Sequence, residues 1–141
     1  MKKLLFVGIM FFAFTAKAQE MNFEETVKYI QTKLKEFGEC CYENNYDLEF
    51  KAKQNGDLEF GKIKINLFNL NNKGKKSWVD EYGMSITPTG LYRPLIDFWG
   101  GDANIYYILF KKTTSESDLN RFRKALIHLR SLCAKEKDPF D

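Results

Sequence analysis

The sequence predicts an α+β domain: an N-terminal helix, an antiparallel curled sheet of about five or six strands, and a C-terminal helix. Three observations predict it. Apolar residues recur at spacings of three and four over residues 23–37 and again over 117–134, which is the helical period. Between these stretches apolar and polar residues alternate, or run unbroken from Ile105 to Phe110, punctuated by Asn, Gly and Pro; that is the pattern of strands and turns. All the strand signals lie between the two helices, instead of alternating with helices as a parallel sheet requires.

Each element has its own justification. Asn22 followed by Glu25 is a capping-box signal. Phe23, Val27, Ile30, Leu34 and Phe37 then form one apolar stripe, with Lys28, Lys33, Lys35 and Glu36 off it, and Gly38 supplies the stop. Tyr46, Leu48, Phe50 and Ala52 alternate with charged residues as a half-buried strand does. Asn55-Gly56 is a strong hairpin signal. Leu58 and Phe60 resume the alternation, but after Gly61 the apolar set becomes Ile63, Ile65 and Leu67. That change of phase reads as a bulge or sharp bend within one strand, and it favours a curled sheet over a flat one. Asn71-Asn72-Lys73-Gly74 is the next turn.

The stretch from Trp78 to Ile86 reads as a strand, ended by Thr87-Pro88-Thr89-Gly90. Leu91 to Trp99 is a further strand, placed at a sheet edge because Pro94 interrupts it. Gly100-Gly101-Asp102 turns the chain into Ile105–Phe110. N-cap residues cluster from Thr114 to Asp118, and Leu119, Phe122, Leu126, Leu129 and Cys133 form the stripe of the second helix,.

The N-terminus carries an address. Met1-Lys2-Lys3, an apolar run from Leu4 to Thr15, and Ala16-Lys17-Ala18 before Gln19 have the layout of a secretory signal peptide,. The run is about twelve residues, short of the roughly 20 needed to span a bilayer. The expected organisation is therefore a signal peptide over 1–18 and a single globular domain over 19–141. The product is expected to be secreted or periplasmic, with no transmembrane anchor after cleavage. Of the 22 basic residues, Lys2, Lys3 and Lys17 lie in the leader, which has no acidic residue, so 19 basic and 19 acidic residues remain. A balanced domain lacks the basic excess of a nucleic-acid binder.

The closing segment, Leu129-Arg130-Ser131-Leu132-Cys133 through Lys137-Asp138-Pro139-Phe140, with the Ala18-Gln19 boundary and the opening Glu24-Glu25-Thr26-Val27, resembles small secreted proteins of uncharacterised function in Bacteroidetes-type bacteria. The strand meander followed by one long helix is similar to a pleckstrin-homology-like roll. Neither resemblance implies an activity, a cofactor or a site residue.

Three cysteines could carry chemistry: Cys40, Cys41 and Cys133. If the two helices lie side by side with these ends together, Cys41 or Cys40 bridges to Cys133. Closing a loop of about 92 residues then adds roughly 4–5 kcal/mol in the chain-entropy model. The other reading makes Cys133 a small apolar residue of the helix stripe. His128, the single histidine, lies roughly 120° from the stripe centre and is expected to face solvent. A Cys–His nucleophile or a zinc site therefore does not assemble, and no catalytic, metal or cofactor residue is assigned. Asp97 and Asp102 flank Phe98-Trp99-Gly100-Gly101 and read as turn carboxylates. Lys73, Lys75 and Lys76 read as a solvated loop.

Strand 105–110 is apolar on both faces. Either it is central and covered on both sides, or one face stays open with Trp99 as a partner surface, formed by Trp99, Tyr106, Ile108 and Phe110. The sequence supports a secreted or periplasmic binding module for an unknown envelope protein or ligand. An inhibitor- or immunity-like protein and a carboxylate-dependent enzyme are the alternatives.

Overall fold

In the computed structural model, which describes residues 21–40, 49–71, 79–88, 90, 93–100 and 105–134, the Asn22–Glu25 capping box opens the first helix, α1 (Phe23–Phe37). The Asn22 side chain accepts from Glu25 N at 2.9 Å, and Glu25 accepts from Asn22 N at 3.0 Å. Asn22→Ala should cost about 1 kcal/mol, read as a lower urea midpoint with an unchanged slope. Ile30 and Leu34 are buried, with Phe23, Val27 and Phe37 packed at the core margin. Gly38 ends the helix as expected, but its backbone is extended (φ −66°, ψ 141°). The chain therefore runs straight into β1 (Gly38–Cys40), a strand with no sequence signal of its own.

Three strands follow: β2 (Phe50–Ala52), β3 (Asp57–Phe60) and β4 (Ile63–Asn66), in the antiparallel order β2-β3-β4. The Asn55-Gly56 hairpin forms as the sequence implies, pairing Ala52 with Leu58 and Phe50 with Phe60. Asn66 Nδ2 and Asn55 Nδ2 donate to the Asp57 carboxylate at 2.8 and 2.9 Å. These bonds hold its carboxyl below the usual range, Asn66 most strongly.

The change of phase at Gly61 is a hairpin, not a bulge within one strand. Gly61 (φ 58°) and Lys62 form the loop, and Phe60 pairs directly with Ile63. Residues paired across an antiparallel ladder share a face. A two-residue loop puts residues i and i+3 on one side, so the apolar parity must flip.

A second sheet contains β5 (Met84–Thr87), β6 (Leu95–Trp99) and β7 (Ile105–Phe110), with β1 added at the far edge: order β1-β7-β6-β5, all antiparallel. A Leu70–Gly100 bridge connects the two strand systems. The described residues thus hold seven strands in two antiparallel sheets, rather than one sheet of five or six.

Two boundaries differ from expectation. The strand expected from Trp78 begins at Met84, because Asp80 organises a turn. Its Oδ1 accepts from Tyr82 N and Met84 N at 2.9 and 2.8 Å, and Gly83 adopts φ 74°. A side chain at Gly83 would strike the Asn71 and Trp99 backbones. Strand β6 lies between β5 and β7, not at an edge. Pro94 precedes its first residue instead of interrupting the ladder, and its carbonyl accepts from Phe110 N at 2.8 Å,.

The second helix, α2 (Glu116–Leu132), starts at Ser115, whose side chain accepts from Asp118 N. Its stripe of Leu119, Phe122, Leu126 and Leu129 is buried. The helices are antiparallel. Lys111, before α2, bonds Glu36 O and Phe37 O at the end of α1, whereas His128 meets Met21 O before its start. Helix α1 contacts β1 and β2, and α2 contacts β5 and β6. Both helices and the three-stranded sheet close over one face of the four-stranded sheet, whose inward residues are Met84, Ile96, Phe98, Ile108 and Phe110.

Candidate functional site

The four-stranded sheet has a second face. Residues opposite one another in an antiparallel ladder project on the same side. The registers Ser85↔Asp97↔Tyr107 and Thr87↔Leu95↔Leu109 therefore define two rows on the outer face. Trp99 lies two residues beyond Asp97 on the same strand and shares that face. Leu95, Asp97, Trp99, Tyr107 and Leu109 are half-buried, Ser85 is buried and Thr87 is exposed. Both described helices pack on the other side.

Asp97 sits in the middle row. Its Oδ2 accepts from Ser85 Oγ at 3.3 Å. Burial raises its carboxyl above the usual carboxylate range, and the Ser85 bond only partly opposes this. At the sheet's β1 end, Glu39 and Arg93 form a separate ion pair at 2.6 Å.

The raised carboxyl makes Asp97 a residue that costs stability when charged. The folded state holds its proton to higher pH than the unfolded chain does, so this group's contribution is most favourable in acid and declines as pH rises through its folded-state titration. Asp97→Asn should therefore raise the melting temperature at neutral pH. The gain should shrink as pH falls through that titration. Thermal melts of both proteins across an acid-to-neutral series check it.

The proposed surface of Trp99, Tyr106, Ile108 and Phe110 is split by the sheet. Ile108 and Phe110 are 0% and 1% exposed, in the core. Tyr106 projects on that same side, at the strand end, and is 37% exposed. Trp99 projects from the opposite face. The aromatic residues of the outer face are therefore Trp99 and Tyr107, half-buried with Leu95 and Leu109. The alternation of β7 separated the two sets, but only the register with β6 assigns Trp99 to one of them.

The cysteine geometry also differs from the bridging arrangement. The helices lie side by side, but antiparallel. Cys40 follows the end of α1, while Cys133 caps the end of α2 near the start of α1. The 15 residues of α1 correspond to about 22 Å of helix, whereas bridged cysteines have Cα atoms about 4.4–6.8 Å apart. Cys133 is a free thiol at the core margin, with Sγ 3.7 Å from Lys53 O, and burial pushes its thiol up. Cys41 lies outside the described residues, as do Asp102, Lys73, Lys75 and Lys76.

His128 is half-buried instead of solvent-facing, its Nε2 2.8 Å from Met21 O. The helix wheel considers α2 alone, and the chain leading into α1 runs alongside it. Among the described residues no group of three or more His, Cys, Asp or Glu side chains is placed to hold a metal ion. No described helix is long and apolar enough to cross a membrane.

In comparisons with known proteins, no family model, no curated protein and no solved structure matched this chain.

Proposed function

We propose that this chain is an extracytoplasmic binding module, exported by cleavage between Ala18 and Gln19, that engages an envelope partner through the outer face of its four-stranded sheet. One observation carries the reading. The sheet is covered by helices and a second sheet on one side, while Leu95, Trp99, Tyr107 and Leu109 surround Asp97 at intermediate burial on the other. Aromatic and aliphatic groups around a desolvated polar centre are the composition of an interaction hot spot. Paired-carboxylate catalysis needs two acids a few ångströms apart. Among the described residues, the rows defined by β5, β6 and β7 on this face contain one acid, Asp97.

Site-specific photocrosslinking tests the proposal. A photoreactive residue at Thr87, exposed on the outer face, should give a discrete adduct in envelope preparations. The same group at Lys124, exposed on α2, should not. Equal labelling from both positions, or an adduct from Lys124 alone, would contradict the assignment.

A further inference from the structure

Asn55 is the one asparagine of the chain that is followed by a glycine. That pair supports a reaction of the backbone on its own side chain. The Gly56 amide nitrogen attacks Cγ, the side-chain carbonyl carbon of Asn55. A C–N bond forms, and the carboxamide nitrogen leaves as ammonia, carrying away the amide proton. The product is a cyclic succinimide. Water then adds to either ring carbonyl, leaving aspartate or isoaspartate at position 55. Glycine favours the attack because no Cβ hinders its nitrogen and its backbone is free to rotate.

The fold withholds each requirement of that reaction. Gly56 N donates to Lys53 O at 3.0 Å, which makes Lys53–Gly56 a β-turn and engages the proton the nucleophile must lose. Such turns hold ψ of their third residue, here Asn55, at about 0°, and ring closure needs that bond swung well away. The carboxamide is pinned at both ends: its Oδ1 accepts from Asp57 N at 3.1 Å, and its Nδ2 donates to Asp57 Oδ2 at 2.9 Å. Asn66 Nδ2 donates to the Asn55 main-chain carbonyl and to the other Asp57 oxygen, at 3.2 and 2.8 Å. Gly56 is buried, and the Phe68 ring lies so close that a side chain there would strike it. The end of α2 also rests on the turn, with Ala134 N 2.9 Å from Gln54 O and Cys133 Sγ 3.7 Å from Lys53 O.

We infer that Asn55-Gly56 is a deamidation site kept silent by the native turn, which reacts only when the β2–β3 hairpin opens and whose product then hinders reclosure. Aspartate at position 55 puts a second carboxylate where the Asn55 amide donated to Asp57. Like charges at hydrogen-bond distance repel, or force one of the pair to take up a proton. Isoaspartate lengthens the main chain inside the loop that sets the pairing of Ala52 with Leu58,. A transient opening is thereby converted into a lasting chemical mark. The turn belongs to the three-stranded sheet, so this chemistry stands independently of partner binding on the outer face of the other sheet.

Peptide mapping by mass spectrometry, with isoaspartate quantified, tests this on the protein folded in buffer and unfolded in guanidinium at one mildly alkaline pH. In the unfolded chain Asn55 should deamidate faster than Asn22 and Asn69, where the following Phe23 and Leu70 hinder attack. Folding should slow the reaction at Asn55 by at least about tenfold. Across sub-denaturing guanidinium, deamidation of Asn55 should rise in step with hydrogen exchange of the Gly56 amide, which reports the same opening. Asn55→Asp should melt lower than Asn55→Ser, which keeps a neutral side chain in the turn. Equal Asn55 rates in the folded and unfolded chain, or an unfolded rate no higher than those of Asn22 and Asn69, would overturn the site. Deamidation that does not follow Gly56 exchange would overturn its control by the turn. Asn55→Asp melting at or above Asn55→Ser would overturn the barrier to reclosure.

Discussion

Phe60→Ala is expected to destabilise the protein by about 3–5 kcal/mol, the range for deleting a fully buried aromatic ring. Phe60 is 0% exposed and joins the two sheets. Its ring lies 5.0 Å from that of Phe50, across the first hairpin, and 5.7 Å from that of Phe98, on the four-stranded sheet. A separate ring pair, Phe110 and Phe122, edge-to-face at 5.3 Å, fastens α2 to the same core. Truncating Phe60 removes contacts on both sides at once, and neither sheet can collapse into the space without moving the other. Equilibrium urea unfolding should show the midpoint falling by more than about 1 M. Phe60→Leu, which keeps much of the volume, should retain most of the stability.

Asp80→Ala is the second large effect, about 2–4 kcal/mol. One carboxylate oxygen fixes the turn before β5 by accepting from two backbone amides. The other accepts from Arg123 Nε at 2.6 Å, with the two side chains only 15% and 24% exposed. Alanine would leave two amides without their acceptor and a partly buried guanidinium without its counter-charge. The neighbouring Arg130 is held between the rings of Phe68 and Tyr82, 5.0 and 5.3 Å from their centroids. The polar side of α2 thus clamps the segment leading into the sheet. A double-mutant cycle with Arg123→Met separates the two roles: Arg123→Met should cost less than Asp80→Ala, because it spares the turn. Equal costs would mean that the ion pair, and not the turn, dominates.

The helices were legible because their period, caps and flanking charges are local. Asn22, Ser115 and the two apolar stripes act where the sequence places them. Strand pairing was less legible, because it is settled by partners distant in sequence. Ile63 and Ile65 carried a real change of phase at Gly61, but a bulge and a two-residue hairpin both produce one. Pro94 misled about both the start of its strand and the edge, since its ring precedes the ladder instead of interrupting it. Strand β1 was invisible: Gly38-Glu39-Cys40 has no alternation, and it forms because the end of α1 delivers it beside β7.

The candidate site shows the same division. Sequence alternation separated Tyr107 and Leu109 from Ile108 and Phe110. Which set faces the helices depends on the whole fold, and Trp99 was grouped with the buried set. In the sequence Asp97 reads as a turn carboxylate beside Asp102. Its place in the middle of a strand, opposite Ser85 and Tyr107, follows only from the register of three strands.

The proposed function requires the two faces of the four-stranded sheet to do different work. Leu95 and Ile96 are adjacent in β6 and point to opposite sides, half-buried and 0% exposed respectively. Comparing Leu95→Ser with Ile96→Ser, for both unfolding free energy and the Thr87 crosslink, separates the two faces and so tests this requirement. Ile96→Ser should lose more than about 3 kcal/mol. Leu95→Ser should lose less than about 1.5 kcal/mol while forfeiting the crosslinked adduct. Equal destabilisation by the two substitutions, or an undiminished adduct in Leu95→Ser, would contradict it.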